Sequence, residues 1–368
     1  MRFPVAHFLC VCVLLLAVGC ATTGRPPSMT LHEADSPVWS VQHANDSLTV
    51  AVSPAGRTLR VAGSAGLVLG TSVDAVVNAR YRNQIAELIG EVDTAAMLEE
   101  GIEQWLQEAV GENLVQVWPL STTAGYSSRR EALAARYDGL ARQNHDVLLQ
   151  LRTTHGVFGH DGTLAVKIEG RQLTLPEGRT LWADTFVVTP EPVLAYDPLR
   201  DPTDRMKPRI RGARLTVERG ALDKWRGGTQ SLRDDLAETI EAAAAALTVS
   251  LALEENALGE YHLGKWAMSK KRFDRALEHL NKAIELRPDY ADAHNALAVL
   301  QFHQGNLDAA IRTAKTVVEQ WPEYAPAHVN LAWWYAIEKK DAAAARPHYQ
   351  RALELGMEPH GRLEGLLS

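Results

Sequence analysis

The chain has 368 residues, of which 46% are apolar and 23% charged, and its net charge is −7. These values are typical of a globular protein of about two domains and give no reason to expect a nucleic-acid partner. All three cysteines lie within the first 20 residues, at Cys10, Cys12 and Cys20. The rest of the chain therefore offers no disulfide, cysteine metal site or cysteine nucleophile.

The N-terminus has the features of a secretory signal. Arg2 precedes an apolar stretch, Phe3 to Val18, that is too short to predict a membrane span. The stretch ends in LAVGC (16–20), which resembles the bacterial lipoprotein signal, where a cysteine after a small residue is acylated and becomes the mature N-terminus. The match departs from that pattern in one respect, because Ala17 stands where the family prefers leucine. The alternative is an uncleaved helix with an incidental thiol.

The lipoprotein resemblance implies residues 1–20 as a signal peptide, Cys20 as the lipidation (palmitate) site, and a lipid membrane as one partner. Ala21, where aspartate would favour the inner membrane, implies the periplasmic face of the outer membrane of a Gram-negative cell. Residues 21–46 are polar, contain Pro26-Pro27 and show no periodicity, so they are predicted to be a flexible tether.

Residues 47–252 predict a mixed α/β domain. Strand-like segments are predicted at 47–54, 57–63, 114–120, 146–154, 163–169 and 179–188. Helices are predicted at 72–89 after a glycine-rich loop (63–70), at 94–110, from a Ser128 cap to about Gln143, and at 229–251. The last helix is expected to pack on the C-terminal domain and join the two.

The run from Asp146 to Val188 places two strands before a turn at Gly178 and then Trp182. This resembles envelope lipoproteins with a small α/β unit, such as the curli-secretion lipoprotein and the activators of peptidoglycan synthases. Trp182 is expected in the core, and no residue role carries over from these families. The proline-rich insertion at 189–228, which contains five basic residues from Arg205 to Arg214, is not expected from that pattern, and its role is left open.

The C-terminal third repeats itself. FDRALEHLNKAIELRPDYADAHNAL from Phe273 aligns with LDAAIRTAKTVVEQWPEYAPAHVNL from Leu307 at an offset of 34 residues. This period resembles the tetratricopeptide repeat (TPR), a helix–turn–helix unit. The resemblance implies an all-α solenoid over 253–368, with three repeats at about 257–290, 291–324 and 325–356 and a capping segment to 368. In the third repeat the turn near Lys339 is expected to be one residue longer.

In the TPR family the first helix of each pair lines a concave groove that binds peptides or protein surfaces. The resemblance implies the groove residues Tyr261, Lys265, Met268, Asn295, Val299, Phe302, Val329, Trp333 and Ala336. Only Lys265 and Asn295 echo the subgroup that clamps a C-terminal carboxylate. An apolar, aromatic groove favours a hydrophobic strand or helix as ligand. The alternative for Phe302 and Trp333 is packing between helices.

The sequence contains no recognisable catalytic motif: it has no nucleophile elbow, HExxH or phosphate loop. Neither a catalytic residue nor a cofactor is predicted. His155, His160 and Asp161 in HGVFGHDG (155–162) could bind a metal, but a hairpin turn built on Gly156, Gly159 and Gly162 is preferred, and no metal is predicted. The chain is thus predicted to be a non-enzymatic, membrane-anchored adaptor for envelope proteins. Two alternatives remain: a hydrolase or metal-dependent enzyme that recruits substrate through its repeats, and a structural subunit of a secretion or assembly machine.

Overall fold

A computed structural model describes residues 31–51, 64–111, 113–120, 125, 127–159, 162–196, 222–225 and 231–368; the side chains of residues 32, 64–76 and 223 are not included. In chain order the strands are β1 Pro37–His43, β2 Thr49–Ala51, β3 Val115–Gln116, β4 Val147–Phe158, β5 Thr163–Thr174 and β6 Thr180–Val188. The helices of the first domain are α1 Ser64–Ile89, α2 Thr94–Val110, α3 Arg129–Arg142 and α4 Leu232–Ser250.

The strands form one mixed sheet in the order β3-β1-β4-β5-β6. β1 and β2 both pair in parallel with β4, one after the other along its length, whereas β4, β5 and β6 are antiparallel. Gly156 allows β2 to approach, because a Cβ atom there would lie 2.1 Å from the carbonyl oxygen of Thr49. The prediction of a mixed α/β domain followed by an all-α domain is confirmed.

One face of this sheet carries the main core. Leu149, Val166 and Ile168 on the strands are fully buried against Leu98 of α2 and Leu236 of α4. The alternation predicted for 163–169 is confirmed, and Trp182 lies in the same core with 3% of its surface exposed. α4 packs against both α2 and the first helix of the C-terminal domain, so the predicted junction is confirmed.

The predicted tether is wrong in the part that the structure describes. Pro37–His43 is a central strand between β3 and β4, and five of its seven residues are buried. A strand that is buried on both faces has no apolar–polar alternation, which is why the segment lacked a periodic signal. The predicted strand at 57–63 lies outside the described residues, and the one at 114–120 is reduced to Val115–Gln116.

The glycine-rich loop predicted at 63–70 is also wrong, because α1 already begins at Ser64. Gly66 and Gly70 lower helix propensity by roughly 1 kcal/mol each but do not end the helix. Ser72, where the helix was predicted to begin, accordingly lies within α1. For α3 the predicted cap is confirmed: Ser128 Oγ accepts a hydrogen bond from the Glu131 amide at 3.2 Å.

The C-terminal domain consists of three helix pairs and a capping helix. Their bounds are α5 Ala257–Ser269, α6 Phe273–Leu286, α7 Ala291–His303, α8 Leu307–Gln320, α9 Ala325–Trp333, α10 Ala342–Glu354 and α11 Gly361–Leu367. The pairs match the predicted repeats. His294 and His328 occupy the same place in successive repeats, and their Nε2 atoms contact the carbonyl oxygens of Pro288 and Pro322 at 2.9 and 3.1 Å.

The third repeat has its extra residue in a different place from the one predicted. All three inner turns have three residues and a left-handed residue at the same point, namely Lys271, Gly305 and Lys340, with φ of 57°, 85° and 56°. The additional residue is absorbed before the turn, in a π-helical turn at Trp334–Glu338 that continues α9. A π turn accommodates an inserted residue without changing the helices on either side.

Candidate functional site

The groove of the repeats is filled by the chain itself. Thr189–Tyr196, which we call the groove segment, leaves the end of β6 and has no regular secondary structure. It crosses the first helices of all three pairs in order, contacting α5, then α7, then α9. The described part of the proline-rich insertion therefore belongs to the repeat domain as its ligand.

The first contact is made by Lys265 on α5. Its Nζ atom donates hydrogen bonds to the carbonyl oxygens of Thr189 at 2.9 Å and Glu191 at 2.6 Å. It also lies 5.2 Å from the centroid of the Tyr261 ring. Burial lowers the pKa of Lys265 to about 8, while the carboxylates of Glu191 and Asp292 act in the opposite direction. Lys265 thus holds the backbone of the groove segment and not the carboxylate of a chain end.

The middle of the groove contains a pair of asparagines, both with no exposed surface. The carbonyl oxygen of Val193 accepts from Asn295 Nδ2 at 2.9 Å and from Asn330 Nδ2 at 3.2 Å. The Ala195 amide donates to Asn330 Oδ1 at 2.7 Å, and Asn330 Nδ2 also donates to Asn295 Oδ1 at 2.8 Å. A buried amide that is fully paired in this way fixes both the position and the direction of the backbone it binds.

The side chains of the groove segment are buried on two sides. Val193 and Ala195 belong to the apolar cluster that contains Tyr261 and Trp333. Leu194 packs instead with Val329 in a smaller cluster. The Tyr196 ring lies 5.4 Å from that of Trp333 and 4.5 Å from that of His360, which precedes the capping helix. The site therefore recognises a backbone without regular secondary structure together with four consecutive side chains.

The predicted groove residues divide into two sets. Lys265, Asn295, Val329 and Trp333 bind or pack with the groove segment, and Tyr261 shares its apolar cluster. The other four, Met268, Val299, Phe302 and Ala336, lie in that same apolar cluster with Val193 and Ala195, and no hydrogen bond joins them to the segment in the described residues. Phe302, with its ring 5.7 Å from that of Trp334, takes the packing role that was the alternative for it. That any of these residues binds a partner stays a prediction.

Two residues of the site were missed. Asn330 makes two hydrogen bonds to the groove segment, as many as Lys265, yet it aligns with Ala296 at the 34-residue offset and so falls outside the family's groove positions. His360 lies after the third repeat, outside the helix pairs that carry the family's groove positions. An asparagine with alanine, valine and leucine neighbours on a buried helix was the available signal for Asn330.

The histidine turn, for which a hairpin was preferred over a metal site, does not include His155. His155 lies within β4, opposite Val166, with no exposed surface, and its Nε2 contacts Thr94 Oγ1 at 2.8 Å. Burial lowers its pKa to about 4, and His43 contributes to this shift. His160 and Asp161 lie outside the described residues. In the part that is described, no group of three or more His, Cys, Asp or Glu is arranged to hold a metal ion.

Comparison with known proteins identifies the repeats. Two family models described as "Tetratricopeptide repeat" match residues 267–331 and 305–358. These matches confirm that the C-terminal domain is built from TPR units, which support a role in protein–protein interaction. No curated protein matches the chain.

Among solved structures, a mutant of MamA is 25% identical over 31% of this chain, with a TM-score of 0.25. The chain spans 66% of that MamA chain, just under two-thirds of its length. Another MamA structure, AMB-1, is 23% identical over 34% of this chain and 68% of its own, with a TM-score of 0.26. A PelC dodecamer from Paraburkholderia phytofirmans is 11% identical over 45% of this chain and 78% of its own, with a TM-score of 0.22. Scores this low carry no argument about function.

Proposed function

We propose that the protein is a non-enzymatic adaptor lipoprotein of the bacterial envelope, whose TPR groove binds an apolar segment of a partner envelope protein. The observation that supports this is the groove segment itself. Lys265, Asn295 and Asn330 bind backbone atoms, which every protein segment offers, and the flanking clusters accept Val193, Leu194 and Tyr196. A partner segment with the same spacing of apolar side chains would satisfy the same groups.

The groove segment must leave before a partner enters. Because it is part of the same chain, its effective concentration at the groove is in the millimolar range or higher. A partner segment of equal intrinsic affinity would therefore fail to displace it without further contacts. The adaptor is closed by default, and only a partner that also binds elsewhere on the protein opens it.

A cross-link tests this exchange. Leu194 and Val329 pack together, so Leu194→Cys with Val329→Cys would tie the groove segment to α9 in an oxidising compartment. We expect in-cell crosslinking and pull-down to recover the partner with the native chain and with the reduced pair, and to recover much less of it with the oxidised pair, which retains only the contacts outside the groove. Each single cysteine variant serves as a control. Equal recovery with the oxidised pair would place the partner outside the groove.

Acylated Cys20 would hold this adaptor on the membrane. Several acyl chains, at roughly 0.8 kcal/mol per buried CH₂, anchor a protein far more firmly than one. The ten residues between Cys20 and Leu31 allow the folded part to lie at most about 40 Å from the lipid. Partners within that reach would be concentrated at the periplasmic face of the outer membrane.

The anchor is tested by Cys20→Ser beside the control Cys12→Ser, which changes a cysteine in the segment that would be removed. We expect the first variant to leave the membrane fraction and to lose the acyl mass in mass spectrometry of its N-terminal peptide. The second variant should behave as the native chain does. Retention of Cys20→Ser in the membrane fraction would contradict the proposal.

A further inference from the structure

The second face of the sheet is polar at its centre. One end is covered by α3, where Val38 and Leu148 pack with Leu140, and the other by Phe158, Ala165 and Val187 against Trp266 of α5. Between these two small clusters lies a cavity of about 1050 Å³, which we call the trough. The strand residues that line it include Ser40, Gln42, Gln150, Arg152, Lys167, Glu169 and Arg171.

The trough is strongly basic, although the chain as a whole is acidic. Six cationic side chains line it but only two carboxylates, Glu169 and Asp184. The cations are Arg129, Arg152, Lys167, Arg171, Lys270 and Arg272. A recess with a local excess of four positive charges in a chain of net charge −7 concentrates anions at that place.

The two carboxylates do not neutralise the arginines. Glu169 forms an ion pair with Lys167 at 2.9 Å, although Arg152 is its direct neighbour across β4 and β5. Asp184 accepts hydrogen bonds from Ser250 Oγ and from the Thr185 amide, both at 2.8 Å. Arg152 makes no ion pair with any of the residues that the structure describes. Its charge is therefore available to a ligand.

We propose that the trough binds a ligand carrying at least two phosphate groups. The planar guanidinium group donates paired hydrogen bonds that match phosphate oxygens. Arg152 and Arg171 lie diagonally across the β4–β5 pair, an arrangement that places Cβ atoms roughly 5–8 Å apart, so the two forks can bind neighbouring phosphates of one ligand. A cavity of about 1050 Å³ is large for a single phosphate and suits a longer anion.

The trough also spans both domains. Arg152 and Arg171 belong to the sheet, whereas Lys270 and Arg272 lie in the turn of the first TPR unit. A ligand that bridges these cations would bind only when the two domains keep their present arrangement. This site is independent of the groove segment, which contacts the repeats through α5, α7 and α9.

Titration calorimetry of the full chain in detergent, with inorganic tripolyphosphate as the probe, tests the proposal. We expect saturable binding that weakens as salt increases, and a loss of affinity of about tenfold or more in Arg152→Gln with Arg171→Gln, since each charge-assisted contact is worth roughly 1.5–3 kcal/mol. Arg312→Gln, an exposed arginine on α8, is the matched control and should bind as the native chain does. Absence of binding to the native chain, or equal binding by all three proteins, would overturn the proposal.

The same titration separates two sources of phosphate. When the protein is moved from detergent into nanodiscs, its own anchor inserts equally in all of them. Cardiolipin is a lipid with two phosphates. If the protein binds tripolyphosphate more weakly in nanodiscs containing cardiolipin than in nanodiscs of phosphatidylcholine alone, the lipid competes for the site and the ligand is a lipid headgroup. If neither competes while the arginine dependence holds, the ligand is a soluble phosphate compound. Both results support the site, whereas equal competition by phosphatidylcholine would contradict phosphate recognition.

Discussion

The repeat groove and the trough are two recesses of one molecule that treat polar groups in opposite ways. In the groove, Asn295 and Asn330 are fully buried and their amides are paired with the groove segment and with each other. In the trough, Arg152 and Arg171 are exposed, and the nearby carboxylates are engaged elsewhere. Polar groups that are satisfied within the chain stabilise the fold, whereas cations left uncompensated in a recess do little for stability and indicate a ligand.

The largest effect is expected from Asn330→Leu. This change leaves the Ala195 amide without its acceptor and removes one donor each from Val193 and Asn295, all in a buried place. At about 1–3 kcal/mol for each unsatisfied group, the free energy of unfolding should fall by roughly 3–5 kcal/mol. Urea denaturation measures it, with the exposed Asn281→Ala on α6 as control. A loss below about 1 kcal/mol would mean that the groove segment does not contribute to stability.

The free energy of unfolding should depend on pH through His155, which is fully buried on strand β4. Its pKa is about 4 in the folded protein, against about 6.5 when unfolded, so between these values the unfolded chain binds a proton that the folded chain does not. The free energy of unfolding should therefore fall by roughly 3 kcal/mol as the pH falls from about 6.5 to about 4.

Denaturation curves at several pH values should show that His155→Gln reduces this slope. His348, whose pKa burial also lowers to about 4, contributes in the same direction in the repeat domain. His348→Gln is thus the comparison variant, in which the part of the pH dependence that comes from His155 should remain. An unchanged slope in His155→Gln would show that this histidine is already protonated in the folded protein at mildly acidic pH.

The junction between the first domain and the repeat domain depends on Gly259, at the start of α5. A Cβ atom there would lie 2.4 Å from the carbonyl oxygen of Ala245 and 2.7 Å from Cγ2 of Val249 on α4. Gly259→Ala should therefore separate the helices and cost about 2 kcal/mol in thermal unfolding. Gly139→Ala on α3, where nothing lies within 4 Å, should instead be neutral or raise stability by up to about 1 kcal/mol. Equal behaviour of the two variants would contradict a close-packed junction.

The smallest effect is expected in the trough. Arg152→Gln with Arg171→Gln removes two exposed, mutually repelling charges, so the free energy of unfolding should change by no more than about 0.5 kcal/mol. The contrast with Asn330→Leu, measured by the same urea denaturation, sharpens the comparison. A loss of several kcal/mol would show that these arginines stabilise the sheet, and the difference between the two recesses would disappear.

The sequence predicted the repeats better than the first domain, for a physical reason. A 34-residue period places small residues such as Ala276 and Ala310 at the same contact in each unit. Each repeat packs only on its neighbours in the chain, so its contacts can be predicted from nearby sequence. The sheet depends on pairings between distant segments, and Val38 meets Leu148 across about 110 residues. Because β1 is buried on both faces, its sequence shows no alternation that would distinguish it from a linker.

Of the candidate site, only residues that line the groove were predicted, and not the segment that fills it. The family resemblance located Lys265, Asn295, Val329 and Trp333, but it says nothing about what lies between them. The groove segment comes from a proline-rich stretch some 70 residues before Lys265. The role of Asn330 follows from its hydrogen bond to that segment, which the sequence does not indicate. The trough was missed altogether, because its cations come from the sheet, α3 and the first repeat, and form no cluster along the chain.

The groove segment has a consequence for the order in which the molecule is made. Ribosomes synthesise residues 189–196 before any of the repeats, so each helix pair emerges with its ligand already attached to the same polypeptide. The segment is therefore available as a template around which the solenoid can assemble. A fragment cut at residue 253, where the domains divide by sequence, would have to fold without it. Such a fragment would expose an empty apolar channel in which Asn295 and Asn330 have lost their hydrogen bonds to Val193 and Ala195, and would be prone to capture unrelated chains.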